Sequence, residues 1–112
     1  MESILTSIKK PLNVAEECGD FDVDIIMHIN TVLMSLRQIG VGPSTGFAIK
    51  SDEETWEKFL GKNVDYEAVK TYMYLRVRIL FDPPSNSSVL ESMKEQIKEY
   101  EWRLNVQVES EV

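Results

Sequence analysis

The chain has 112 residues, 43% hydrophobic and 28% charged, which fits one domain with a core of its own and shows no low-complexity tract or repeat. A formal net charge of −7, a pI near 4.7 and scattered Lys and Arg exclude the concentrated basic patch that grips phosphate backbones. The single cysteine, Cys18, excludes an internal disulfide framework and the multi-Cys zinc patterns, and points to a reduced thiol.

The opening MESILTSIKK has no basic region ahead of its short apolar stretch, so a secretory signal is not expected. Ile4, Leu5, Ile8 and Leu12 lie on one side of a short amphipathic helix over residues 2–10, which Pro11 should stop. After the polar connection NVAEECGD, a second helix is expected over residues 21–39. Asp20 is its candidate N-cap, Asp22 and Asp24 suit the positive end of its dipole, and Gly40 ends it.

GVGPSTGFAIKS has too much Gly, Pro and Ser for a helix, and its FAIK is a candidate strand or hairpin arm. Ser51 and Glu54 form a candidate capping box for a third helix over 52–60. A fourth helix should start at Asp65 and end at Phe81, where Pro83 and Pro84 forbid its continuation. Ser88 and Glu91 should cap a fifth reaching about Leu104, with NVQVESEV as a tail over 105–112. The expected fold is a single all-α domain over 1–112, a bundle of about five helices with one non-helical or short β excursion around 40–51. No apolar run approaches the ~20 residues of a membrane span, so a soluble, cytosolic chain is expected.

At about 100° per residue, Phe21, Ile25, Ile29, Val32, Leu36 and Ile39 make one stripe of the second helix, widened by Ile26 and Leu33. Val23, Met27 and Met34 gather half a turn away, on the side expected to face water. A helix apolar on opposite sides touches two things, a neighbouring helix or loop of its own chain or another subunit, and methionine adapts well to a partner. On the fourth helix Ala68, Val69, Tyr72, Leu75, Ile79 and Leu80 are expected in the core, with Met73 and Val77, while Tyr74 and Phe81 stand off that stripe. Arg76 projects into the apolar sector, as Asp22 does on the second helix, so the two are expected either to pair or to mark a subunit boundary; a snorkelling Arg76 is the alternative. Leu90, Met93, Ile97, Tyr100 and Leu104 form a narrow seam on the fifth helix. Trp102 lies off that seam, as a partner anchor or as a cap over the first helix.

Chemistry is sparse. DFDVD opens like a calcium loop, but Ile25 and Thr31 stand where that loop needs Gly and Glu, so helix capping explains its acids. GVGPSTG lacks the preceding strand and the Lys-Ser/Thr of a phosphate cradle. His28 is the only histidine, with no set of zinc ligands around it. Cys18 has nothing poised to lower its pKa. No catalytic, cofactor or metal site is expected, and the chain is not expected to be an enzyme.

The blocks FDVDIIMHINTVLMSLRQIGVGP, TWEKFL, YLRVRILFDPP and QIKEYEWRLNV, in this order and spacing, resemble the head–tail connector (adaptor) proteins of tailed phages and prophages of Gram-positive bacteria. The resemblance spans residues 4–106, and its most distinctive pieces are QIGVGP and LFDPP followed by EWRLN. It implies an α-helical virion subunit, made in the host cytoplasm, that joins a dodecameric ring under the portal in the virion neck. Such a ring extends the DNA channel and carries the stopper or tail-completion protein. Portal docking then falls by position on the C-terminal segment, with Trp102, Arg103, Leu104, Val106 and Val108. The channel- or stopper-facing loop falls on Gly40, Gly42, Pro43, Ser44, Thr45, Phe47 and Lys50. The expected subunit interface is Val23, Met27, Met34, Tyr74, Arg76 and Phe81. A net negative subunit suits a conduit that DNA passes without specific binding. A different class remains open, a small intracellular regulator that binds one partner through the Met27/Met34 face.

Overall fold

Apolar residues recurring every three or four positions give a helix one face to bury, and this chain repeats that pattern along most of its length. The computed structural model describes residues 2–62 and 65–110, and forms α1 (Ile4–Lys9), α2 (Asp22–Ile39), α3 (Trp56–Leu60), α4 (Glu67–Phe81) and α5 (Ser87–Ser110). No strand occurs among the described residues, so the all-α expectation holds and the strand expected for FAIK does not form. The one β-like feature is an isolated antiparallel bridge between Ser3 and Thr55.

Ser3 caps α1 by accepting a hydrogen bond from Thr6 N at 3.2 Å. The helix stops at Lys9 ahead of Pro11, although Lys10 keeps helical dihedrals, and Asn13 at φ 64° turns the chain away. Phe21, not Asp20, occupies the cap of α2 and gives no side-chain bond. At the other end Gly40 adopts φ 102°, and the N–H groups of Gly40 and Val41 return to Leu36 O, which closes the helix.

The Ser51–Glu54 pair forms, but as a turn. The Glu54 carboxylate accepts from Lys50 N at 2.8 Å and Ser51 N at 3.2 Å. Burial pushes the Glu54 carboxyl up, yet the N–H donors of Lys50, Glu54 itself and Ser51 outweigh it and hold it below the usual range. The helix begins four residues later than expected, where Thr55 Oγ1 accepts from Lys58 N at 3.2 Å. α4 starts at Glu67, whose N–H bonds Asp65 Oδ1 at 3.0 Å. α5 is capped by Asn86, which accepts from Ser88 N at 2.8 Å and Val89 N at 3.2 Å. It passes Leu104 and runs to Ser110, so the expected tail is helical as far as it is described, with residues 111–112 outside the described set. The physical reason is Val108, one turn beyond Leu104, which continues the seam and rests on Gly40, where a Cβ would stand 2.9 Å from Val108 Cγ1.

α4 packs on both α2 and α5, and α1 lies against α2 and α4. Phe21 at the start of α2 meets Phe81 at the end of α4 edge-on at 5.6 Å, so these two helices run antiparallel. Ile4, Ile8, Ile25, Ile29, Val32, Leu36, Trp56, Tyr72, Met73, Val77 and Leu104 form the core. Trp56 stacks on Tyr66 and donates from Nε1 to the buried Ser7 Oγ at 2.8 Å. Three residues expected inside, Phe21, Ala68 and Leu80, are exposed, because they sit where their helices end or at the edge of the stripe.

Candidate functional site

α2 turns Ile25, Ile29, Val32 and Leu36 inward, and the same periodicity leaves Val23, Met27 and Met34 outward, 80%, 56% and 66% exposed. Neither the loop over residues 41–55 nor a neighbouring helix covers this face. The loop passes along the next flank of α2, because Asn30 holds it there. Asn30 Nδ2 donates to Ile49 O at 3.1 Å, and its Oδ1 accepts from Ile49 N at 2.8 Å. An amide side chain thus takes both backbone groups of Ile49, as a neighbouring strand would.

The other expected interface residues lie apart from this face. Phe81 closes the end of the chain's own bundle against Phe21, and half-buried Tyr74 packs on the core with its hydroxyl accepting from Arg78 Nη1 at 3.3 Å. Arg76 does not pair with Asp22. It donates to Tyr72 Oη at 3.1 Å, and the Tyr72 hydroxyl donates to Glu101 Oε2 at 2.8 Å, tying α4 to α5. Burial, then the bond to the Glu101 carboxylate, pushes the Tyr72 phenol up to about 12.

Asp22 belongs instead to Lys9, which apolar spacing alone does not single out. Lys9 is 3% exposed and donates to Glu16 O at 3.1 Å and Cys18 O at 2.7 Å. Its Nζ stands 2.8 Å from Asp22 Oδ1, off the hydrogen-bonding axis, so charge alone holds that oxygen. One buried ammonium therefore fixes α1, the 10–21 connection and the start of α2. The available signal was a lysine directly after Ile8 at the edge of an apolar stripe. For Asn30 it was a polar residue between Ile26 and Met34 on the flank of α2.

In the C-terminal set, Trp102 and Val106 are 67% and 42% exposed, and Arg103 bonds Glu99 at 2.6 Å on the surface. Leu104, expected to dock a partner, is 3% exposed within the chain's own core and has no free side chain to offer. Half-buried Val108 lies on Gly40.

The 40–50 loop is equally divided. Gly42, at φ 88°, is approached by the Phe59 ring so closely that no Cβ fits, and Phe47 packs 5.1 Å from the same ring. Ser44 O accepts from Arg37 Nε at 2.9 Å. Ser44, Thr45 and Lys50 remain exposed, and Pro43 is half-buried. The start of this loop and the end of α5 meet around a recess of about 220 Å³, lined by Gly40, Gly42, Leu60, Leu104 and Val108 among others. Two segments expected to serve different partners are therefore neighbours at one end of the molecule.

No group of metal-ligating side chains occurs among the described residues, and no described helix is long and apolar enough to cross a membrane. A family profile described as phage connector protein matches residues 4–111. The chain belongs to the phage connector family. No curated protein and no solved structure matches it. A structural role between head and tail follows from that membership, and on this connector the Val23/Met27/Met34 face stands uncovered.

Proposed function

We propose that the chain is a head–tail connector subunit that assembles with its own copies into a ring, dodecameric by family expectation, under the portal. The ring extends the DNA channel and receives the stopper or tail-completion protein. The observation that carries this reading is the apolar face of Val23, Met27 and Met34, left in solvent by a chain of the phage connector family. Three large apolar side chains on one helical face, opposite a complete core, support a partner at this surface.

The exposed Arg103 and Val106 of the C-terminal helix are the proposed portal-docking surface. The outer part of the loop, Ser44, Thr45 and Lys50, is proposed to face the channel or the stopper. DNA would pass without specific binding, since a chain of net charge −7 offers phosphates few cationic holds. Assembly in the host cytoplasm and residence in the virion neck complete the reading, with a Gram-positive host as its narrowest form.

Co-expression with the portal protein of the same genome tests it. Co-migration of the two, with a ring of density below the portal by electron microscopy, is the expected result. A portal that migrates alone at micromolar concentrations of both proteins would overturn it.

A further inference from the structure

Acid and base are unevenly placed on this molecule. Residues 16–24 carry Glu16, Glu17, Asp20, Asp22 and Asp24 and no cation. Of these, exposed Asp20 and Asp24 border Val23 and Met27 on the first turns of α2. Between the last turns of α2 and the outer part of α5 lies a surface recess of about 680 Å³. Its lining gathers Arg76, Lys94 and Lys98 with the carboxylate of Glu101, while Glu91 and Glu95 stand beside the two lysines. Trp102, 67% exposed, forms one wall.

The cations of the recess are loosely engaged. Lys94 stands 3.6 Å from Glu91 and Lys98 3.9 Å from Glu95, both on the surface, where such pairs are weak and readily exchanged. Among the described residues Arg76 makes no ion pair and donates only to the Tyr72 hydroxyl.

Building on the connector reading, we infer that a second copy of this chain fills the recess: the start of α2 from one subunit lies across the α2–α5 recess of the next. Met27 then meets the Trp102 ring, and Asp20 and Asp24 face Lys94, Lys98 and Arg76. A thioether on an indole is a favourable pairing, and an exposed Trp at the centre of an apolar contact is the usual anchor of an interface. The opposed charges fix the register. The two surfaces differ and stand about 18 Å apart along α2, at 1.5 Å per residue, so one subunit can use both at once. The contact is therefore head-to-tail, the type that propagates from copy to copy and closes when the rotation permits.

Thr31→Cys and Asn105→Cys, each in a Cys18→Ser background, test the geometry while keeping every proposed contact. The two variants mixed at up to millimolar concentration under mild oxidation should form a covalent dimer, and a chain carrying both cysteines should form a ladder. Trp102→Ala should weaken the association about 30-fold. Asp24→Lys should lower the cross-linking yield and Lys98→Glu should restore it. Cross-linking of Thr31→Cys with itself, or none in the mixture, would overturn the inference. Duplex DNA that blocks the cross-link would overturn it too, since phosphates would then hold the recess. Co-migration with the portal is measured on the same variants. Cross-links lost with portal binding intact refute this contact alone, whereas portal binding lost with cross-links intact refutes the connector reading alone.

Discussion

Replacing Lys9 by Met keeps the aliphatic stem in place and removes the one charge that three segments share. Lys9 is 3% exposed, and its loss leaves Asp22 Oδ1 without its countercharge and the carbonyls of Glu16 and Cys18 without their donor. Breaking one partner of a buried pair costs about 3–5 kcal/mol. The Asp22 side chain keeps 33% of its surface in water, which takes up part of the unpaired charge, so the lower figure of about 3 kcal/mol applies. Against a total stability of about 5–15 kcal/mol, the variant folds but loses a large share of it. With a urea slope of about 1.5 kcal/mol/M, the unfolding midpoint should fall by about 2 M, read by circular dichroism. Asp22→Asn should cost much less in the Lys9→Met background than in the parent chain, because its partner is already gone. A Lys9→Met midpoint within about 0.3 M of the parent would refute the reasoning and make the lysine a snorkelling surface residue.

Asn30→Ala removes both bonds to Ile49 and should cost about 2 kcal/mol, with faster hydrogen exchange confined to residues around 44–51, while Asn30→Asp keeps the acceptor and loses the donor to Ile49 O. Met27→Asp should leave the unfolding free energy unchanged within about 0.5 kcal/mol, because the side chain is 56% exposed; a larger loss would show that the face belongs to the core. Tyr72 has its pKa raised from 10.0 to about 12, so the fold favours the neutral phenol. Its contribution is whole below pH 10 and is lost as pH rises toward 12. Ultraviolet titration should show a last tyrosine step that coincides with alkaline unfolding, and Tyr72→Phe should abolish that step.

The recurring spacing of Ile25, Ile29, Val32 and Leu36, and the glycine and prolines at Gly40, Pro83 and Pro84, made the helices and their ends legible, because both are local properties of the chain. The same spacing placed Val23, Met27 and Met34 opposite the core, and they stand there uncovered. Caps are less legible. Asp20, Ser51 and Ser88 have the right chemistry, but Phe21, Thr55 and Asn86 take those positions, since the competing starts differ by only a residue or a turn and packing selects among them.

Sequence by itself determined an all-α chain with more apolar surface on α2 than one core absorbs, because periodicity along a single helix needs no knowledge of its neighbours. Only the tertiary structure decided that Lys9 rather than Arg76 meets Asp22, that Leu104 is core, and that the end of α5 lies on the Gly40 turn. Each of these joins segments distant along the chain, and charge or hydrophobicity alone does not choose among the available partners. Distance and burial do.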